Sequence, residues 1–187
     1  MFKLFNKKHV PVTPSVVPQH IAFICDGNRR WAENRGLPPL MGHQAGIANF
    51  EALVDWYMKR GVSTITFFVF STENWNRSKD EVDFLMELFY TEMKKNLKNA
   101  LEKNLRYRVI GTREKLPKKL ANICDKLEAE SAENTGGTVV FALNYGGQQE
   151  IIDAVNAAIA IGVASAKAQG QLITSTDTAR ATAKPMG

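Results

Sequence analysis

The sequence TITFFVF at Thr64–Phe70 runs directly into STENWNR at Ser71–Arg77, and the two segments predict a strand followed by a polar loop. The first segment is rich in β-branched and aromatic residues, which favour strands. The loop ends just before Ser78, which forms the S-x-x-E pattern of a helix-capping box with Glu81. A strand, a polar loop and a long helix in this order are typical of an α/β protein.

Similar strand and helix patterns lie on both sides of this unit. The further predicted strands are His20–Cys25, Leu105–Ile110 and Thr138–Asn144. The predicted helices are Gly42–Arg60, which is terminated by Gly61, a long helix after Ser78, then Leu116–Ala132 and Gln148–Lys167. The apolar positions of the long helix are Val82, Leu85, Phe89, Met93, Leu97 and Leu101. This alternation predicts an α/β fold, a single domain with a mainly parallel central sheet and helices on both faces. The predicted domain covers residues 18–187, and residues 1–17, interrupted by Pro11 and Pro14, are predicted to be an N-terminal arm.

The composition excludes two classes of protein. Of the 187 residues, 44% are hydrophobic and 23% are charged, which excludes a disordered chain. No apolar run approaches the ~20 residues that a membrane span needs, which excludes an integral membrane protein. The two cysteines have no C-x-x-C spacing and predict a reduced, intracellular protein.

The charge is unevenly distributed along the chain. The net charge is +5, and residues 94–126 carry 11 basic and 3 acidic side chains. This basic segment has two interpretations. It is either a surface for nucleic acid or an anionic membrane, or the solvated face of amphipathic helices.

Three polar clusters follow predicted strands: Asp26–Trp31, Ser71–Arg77 and Asn144–Gly147. In open α/β sheets, ligands bind outside the carboxyl ends of the strands. We therefore expect the three clusters to meet at one edge of the sheet.

The first cluster combines one carboxylate, Asp26, with Arg29 and Arg30 around the flexible Gly27. These charges suit a structural ion pair, and they also suit a diphosphate with Mg²⁺, because Mg²⁺ binds through one carboxylate plus substrate phosphates and arginines clamp phosphate oxygens. His43 follows Gly42 at a predicted helix start, where it is either structural or able to donate to phosphate or move a proton. Taken alone, the polar residues of Ser71–Arg77 indicate only a loop before a capped helix.

Several known motifs are absent from the sequence. It contains no P-loop, no G-x-G-x-x-G dinucleotide fingerprint and no G-x-S-x-G elbow. Its 3 histidines lack the spacing of a zinc site.

Four segments closely resemble the cis-prenyltransferases, with the bacterial undecaprenyl diphosphate synthases as the nearest type. These segments are HIAFICDGNRRWA at His20–Ala32, Gly42-His43, FFVFSTENWNRSKDEV at Phe67–Val82 and NTGGTVVFALNYGGQQEI at Asn134–Ile151. The resemblance implies an enzyme that uses Mg²⁺ to condense isopentenyl diphosphate onto farnesyl diphosphate. The implied product is a long Z-polyprenyl diphosphate, undecaprenyl diphosphate, the carrier lipid for cell-wall glycans. A non-catalytic, prenyl-binding partner subunit of the same fold is the alternative.

The resemblance also implies a cellular setting. It implies a cytoplasmic homodimer with peripheral contact at the inner face of the membrane, and no nucleic-acid partner.

The same resemblance assigns roles by position. Asp26 matches the aspartate that engages Mg²⁺ and diphosphate, and Asn74 matches an asparagine assigned to proton transfer. Glu81 matches a glutamate near the second substrate. The implied substrate-binding residues are Gly27, Asn28, Arg29, Arg30, Trp31, His43, Ser71, Thr72, Glu73, Trp75 and Arg77.

The growing product also needs an apolar tunnel. Its candidate wall residues are Val69, Phe89, Met93 and Leu97, although each of them taken alone is explained by packing in the core.

Three features depart from the family pattern. Pro39 stands where an arginine is common, and Gln148 stands where the arginine of NYGGR is common. The sequence stops at Gly187, before the R-x-G-G-E-x-R-x-S-N-F segment that holds isopentenyl diphosphate in the family. We therefore expect this chain to bind an allylic diphosphate weakly without elongating it.

Overall fold

The structure is a computed structural model and describes residues 16–168. The chain alternates strands and helices: β1 (His20–Ile24), α1 (Asn28–Glu33), α2 (Pro39–Ala48), α3 (Phe50–Met58), β2 (Thr64–Ser71), a 3₁₀ helix (Thr72–Asn76), α4 (Lys79–Asn99), β3 (Arg106–Ile110), α5 (Lys118–Glu130), β4 (Thr138–Tyr145) and α6 (Gly147–Ala168). The predicted single α/β domain is confirmed. Of the predicted arm, residues 1–15 lie outside the described residues, so its boundary stays a prediction.

The four strands form one sheet in the order β1-β2-β4-β3, and every pairing is parallel, as predicted. Successive side chains of a strand point to opposite faces. On one face, Ile65 and Phe67 of β2 pack with Val139 and Phe141 of β4, and all four are buried. The β2–β4 register shifts between Phe68 and Ser71, where β2 reaches its polar end.

Helix α4 supplies most of the helical contribution to the core. The Ser78 hydroxyl accepts from the Glu81 N–H at 3.4 Å, which confirms Ser78 as the cap at the start of α4. The Glu81 carboxylate does not complete the capping box, because it binds Arg29, His43 and Arg77 instead. One face of α4 is buried, with Val82, Leu85, Phe89 and Met93 pointing into the core. Each such burial contributes roughly 1.5–3 kcal/mol. This packing fixes the first turn of α4, and Glu81 with it.

The prediction of one helix over Gly42–Arg60 is wrong, because the structure has two helices that meet at Asn49. The first of them begins at Pro39, where a proline suits the first helical position because its missing N–H has no helical partner. Gly61 follows the second with a φ of 87°, the left-handed conformation expected at a helix end.

Other local predictions also differ from the structure. The short helix α1 and the 3₁₀ helix were not predicted. Leu101 was expected on the apolar face of α4, but it lies beyond the helix end and is 68% exposed.

The last helix, α6, is exposed over most of its described length and carries the exposed apolar residues Ile151, Val155 and Ile161. Within the part of the chain that the structure describes, no helix combines the length and the apolar character needed to span a bilayer.

Candidate active site

Asp26 lies just beyond the carboxyl end of β1, and its side chain is 80% exposed. Gly27 turns the chain with a φ of 84°, which lets its N–H donate to Asp26 Oδ1 at 2.6 Å. Arg30 Nη2 donates to the other oxygen, Oδ2, at 3.3 Å. An exposed ion pair of this kind contributes little stability, so the carboxylate is well suited to interact with a ligand.

A polar pocket of about 480 Å³ opens beside this carboxylate. Helix α1 contributes Arg29 and Arg30 to it, α2 contributes His43, and the end of the 3₁₀ segment contributes Arg77. The pocket is lined by Cys25, Asp26, Gly27, Asn28, Arg29, Arg30, Glu33, His43 and Arg77. Three arginines in one pocket make it a suitable site for a polyanion.

Close packing between α1 and α2 places His43 in this pocket. A Cβ atom at Gly42 would lie 2.0 Å from the backbone oxygen of Asn28, so only glycine lets the two helices come this close. Gly46, one turn later, lies against the Asn28 side chain in the same way. These contacts explain why glycine precedes His43.

Glu81 connects the cationic groups of the site. Its side chain is only 8% exposed. Its Oε1 accepts from Arg77 Nη1 at 2.9 Å and lies 3.4 Å from His43 Nε2, and its Oε2 accepts from Arg29 Nη1 at 3.3 Å. A buried carboxylate needs such partners, and here they hold groups from α1, α2 and the 3₁₀ segment together.

The pKa of His43 is lowered mainly because burial disfavours its charged form, although the hydrogen bond to Glu81 acts in the opposite direction. The lowered pKa favours the neutral imidazole near pH 7, which is able to donate or accept a proton.

An apolar cavity of about 400 Å³ lies next to the polar pocket. The two share Cys25, Asp26, Asn28, His43 and Arg77 along their border. Beyond this border the lining is largely apolar and aromatic: Phe23, Ile24, Ile47, Phe50, Leu53, Phe67, Phe68, Val69, Leu85, Leu88 and Phe89, with Gly46, Ser71 and Asn74 completing it. The arrangement suits a ligand with an anionic head and an apolar tail.

A smaller cavity of about 40 Å³ continues behind this one. The two cavities share Ile47, Phe50, Val69 and Phe89, which form the partition between them. Met93 lines the smaller cavity, whereas Leu97 lines neither and packs against the core. Of the predicted wall residues, the structure therefore places Val69, Phe89 and Met93 on cavity surfaces.

A family model described as putative undecaprenyl diphosphate synthase matches residues 24–184. The chain belongs to this prenyltransferase family. The resemblance stated from the sequence segments is thereby confirmed.

Curated relatives and solved structures agree with this assignment. Isoprenyl transferase of Neisseria gonorrhoeae is 44% identical over 149 residues, which cover 80% of this chain and 60% of the relative. A Pseudomonas putida relative named ditrans,polycis-undecaprenyl-diphosphate synthase ((2E,6E)-farnesyl-diphosphate specific) is 41% identical over 79% of this chain and 59% of its own length. This chain thus spans about 60% of the length of these relatives.

Among solved structures, lavandulyl diphosphate synthase from Lavandula x intermedia, in complex with dimethylallyl diphosphate, matches with a TM-score of 0.72 and 29% identity, covering 88% of this chain and 70% of that one. A probable undecaprenyl diphosphate synthase from Campylobacter jejuni matches with a TM-score of 0.62 and 26% identity, covering 87% of this chain and 68% of that one.

The structure brings most of the family-assigned residues to the two cavities. Asp26, Gly27, Asn28, Arg29, Arg30, His43, Ser71, Asn74 and Arg77 line one or both of them. Within residues 16–168, no three His, Cys, Asp or Glu side chains are grouped as a protein-only metal site would require.

Four assigned residues point elsewhere. Trp31 is 40% exposed and lies under the Arg35 guanidinium at 4.3 Å, and Glu73 is exposed. Thr72 packs against Gly146. Trp75 is half-buried against Phe70 and lines neither cavity.

Sequence reasoning missed several lining residues. Glu33 in the polar pocket was not proposed, because its helix α1 was not predicted. Phe50 in the apolar cavity was not proposed, because apolar residues at helical spacing predict core packing.

Proposed function

We propose that the chain binds an allylic diphosphate and serves the transfer of its prenyl group to isopentenyl diphosphate. The observation that carries the proposal is the junction, at Asp26 and His43, of an arginine-lined pocket with an apolar cavity of about 400 Å³. The proposed allylic substrate is farnesyl diphosphate and the proposed product is a long Z-polyprenyl diphosphate. A relative named as farnesyl-diphosphate specific supports this choice of substrate. A similar solved structure that holds dimethylallyl diphosphate supports an allylic diphosphate as the class of ligand.

The diphosphate is proposed to lie in the polar pocket, where Arg29, Arg30 and Arg77 would bind its oxygens. Asp26 fits a role in holding Mg²⁺, because its exposed carboxylate borders this pocket and Mg²⁺ takes one or two carboxylates together with substrate phosphates. The ion would neutralise charge on the departing diphosphate as the allylic C–O bond breaks.

The prenyl chain is proposed to occupy the apolar cavity, whose volume lies within the range of about 300–1,000 Å³ usual for ligand sites. Condensation forms a C–C bond and removes a proton from isopentenyl diphosphate. Asn74 is proposed to take part in that proton transfer, and its Oδ1 accepts from Ser71 N–H at 3.1 Å. His43, kept neutral by its lowered pKa, is a second group at the border able to accept a proton.

The proposal extends to the setting of the reaction. A homodimer in the cytoplasm, in peripheral contact with membrane lipid as product leaves, is the arrangement we propose.

Calorimetric titration tests the binding step. With Mg²⁺ present, farnesyl diphosphate should bind, whereas farnesol and inorganic diphosphate should each bind more weakly because each fills only one of the two cavities. Equal affinity for farnesol would contradict the proposed polar site.

Incorporation of labelled isopentenyl diphosphate tests the chemical step. Polyprenyl product would support the transferase. Because this chain itself is expected to bind without elongating, the assay is run on a full-length version that also carries the family's C-terminal segment. Binding of farnesyl diphosphate without incorporation in that version would instead favour the non-catalytic partner subunit.

A further inference from the structure

Asn144, near the end of β4, is 2% exposed, and both polar atoms of its side chain are hydrogen-bonded. Its Oδ1 accepts from Trp75 Nε1 at 2.8 Å. Its Nδ2 donates to the Thr112 carbonyl at 3.0 Å and to the Glu114 carbonyl at 2.7 Å. The amide therefore links the end of β4, the segment after β3 and the 3₁₀ helix.

The backbone at this position explains the choice of residue. Asn144 has a φ of 52°, in the left-handed region where asparagine is one of the few side chains that are readily accommodated. Its own carbonyl accepts from Thr112 N–H at 3.2 Å. The preceding Gly111 has no room for a Cβ, which would lie 2.2 Å from the Leu143 carbonyl. The segment after β3 is thus closely attached to the end of β4.

Two neighbouring contacts join the same part of β4 to the Ser71–Arg77 segment. Ser71 pairs with Tyr145 in the sheet. A Cβ at Gly146 would lie 2.7 Å from Thr72 Oγ1, so the glycine lets the two segments meet. Asn144, Tyr145 and Gly146 therefore contact Trp75, Ser71 and Thr72 respectively. Of these three, Trp75 and Thr72 line neither the polar pocket nor the apolar cavity.

The other side of the segment carries Ser71, Asn74 and Arg77 to the apolar cavity. Asn144 itself lines neither the polar pocket nor the apolar cavity. From these contacts we propose that Asn144 is a positioning residue, which orients the 3₁₀ helix through Trp75 and so places Asn74 and Arg77 at the substrate. The inference rests on the proposed function of the site, since it concerns how that site is shaped.

A purely structural role predicts lost stability without a selective loss of binding, and Asn134 provides a matched control. Its Nδ2 also donates to two backbone carbonyls, those of Ala100 and Leu105, at 2.9 and 2.8 Å. Unlike Asn144, it lies away from both cavities. Asn144→Ala and Asn134→Ala therefore remove the same pair of donor bonds, but only the first removes the acceptor of Trp75.

The first measurement is the ¹H–¹⁵N indole resonance of Trp75, assigned by its disappearance in Trp75→Phe. It should move in Asn144→Ala and stay in place in Asn134→Ala. The second is the Kd for farnesyl diphosphate with Mg²⁺, which should rise about 10-fold in Asn144→Ala, as expected when a positioning hydrogen bond is lost. In Asn134→Ala the Kd should stay within the error of the wild type.

Trp75→Phe provides a second route if Asn144→Ala does not fold, because it removes the N–H donor and keeps a ring against Phe70. It should raise the Kd in the same direction. An unmoved indole resonance in a folded Asn144→Ala, or an unchanged Kd beside a moved resonance, would overturn the positioning role. Absence of farnesyl diphosphate binding in the wild type would instead overturn the proposed function, while the resonance would still report on the Asn144–Trp75 link.

Discussion

Glu81 serves two parts of the structure at once. Its backbone N–H donates to Ser78 and helps to begin α4, while its carboxylate contacts Arg29, His43 and Arg77. The capping pattern in the sequence identifies the first role from local spacing. The second depends on α1 and α2 folding over α4, and within the sequence only the family resemblance points to it.

In a full-length version of the protein, Asp26→Ala should lower the rate of prenyl transfer by more than about 10²-fold, or about 3 kcal/mol in the barrier, because the proposed Mg²⁺ site loses its carboxylate. The fold should persist, since this side chain is 80% exposed. Steady-state kinetics beside a thermal melt measures both effects. Asp83→Ala, which removes a surface carboxylate paired with Lys79, is the control. Wild-type turnover in Asp26→Ala would refute the assignment.

His43 should make folding stability depend on pH. Burial lowers its folded-state pKa below the ordinary value of about 6.5, so the unfolded chain binds the proton more readily. The contribution of neutral His43 to the free energy of unfolding is therefore fully present above pH ~6.5. It is lost as the pH falls through that value towards the folded-state pKa.

Urea unfolding between about pH 5 and pH 8 measures this effect as the difference between wild type and His43→Gln. The slope of stability against pH should be smaller in His43→Gln. The exposed His20, changed to Gln, serves as the control. Identical slopes in wild type and His43→Gln would contradict the effect of burial.

At the scale of elements, helix α4 shows what the spacing of apolar residues predicts and what it does not. Apolar residues three or four apart predict its buried face, and Val82, Leu85, Phe89 and Met93 are buried as expected. The same pattern does not reveal that Phe89 also lines a cavity whereas Leu97 does not, because that depends on where the rings of Phe50 on α3 and Phe67 on β2 lie next to α4.

Phe89→Ala should shift binding preference towards longer prenyl chains, because this ring lies between the cavities of about 400 and 40 Å³. The measurement is the Kd of geranyl, farnesyl and geranylgeranyl diphosphate for the wild type and for Phe89→Ala, and the variant should favour the longest of the three more than the wild type does. Met86→Ala is the matched control, since Met86 is equally buried on α4 but lines neither cavity. Both variants should lose roughly 2–5 kcal/mol of stability. An unaltered length preference in Phe89→Ala would mean that its role is core packing alone.

Contacts between segments that are distant in sequence could not be predicted at this scale. The strands are predicted by their composition, and their polar ends were expected to meet at one edge. The break at Asn49 was not predicted, because apolar residues continue at helical spacing on both sides of it. The bond from Trp75 to Asn144 joins residues 69 positions apart, so local pattern gives no sign of it.

The whole molecule assembles the site from parts that are distant in sequence. Asp26 follows β1, His43 lies on α2, and Arg77 follows the 3₁₀ helix, and all three border both cavities. A ligand across this border binds the folded chain alone, so its binding should stabilise the entire fold.

Farnesyl diphosphate at about 100 times its Kd should add about 2.7 kcal/mol to the free energy of unfolding. For a chain of this size that corresponds to a rise in Tm of roughly 5–11 °C. Differential scanning fluorimetry with Mg²⁺ measures the shift, and farnesol at equal concentration controls for the apolar tail. A melting temperature that does not change under saturating ligand would show that the ligand binds without preference for the folded state.

Within residues 16–168, β1 has a single neighbour in the sheet, β2. Amides along a strand point alternately to either side, so only every second one donates to β2, as Cys25 does to the Phe68 carbonyl at 3.2 Å. Deuterium should therefore enter His20–Ile24 faster than the interior strand β4. Sub-global opening of β1 costs less than complete unfolding, and it would move Asp26 relative to Arg77, which lines the same pocket but follows the 3₁₀ helix. The carboxylate on which the proposed chemistry depends thus follows an edge strand, and the exchange rate of β1 would measure how often this side of the site opens while the interior of the sheet stays folded.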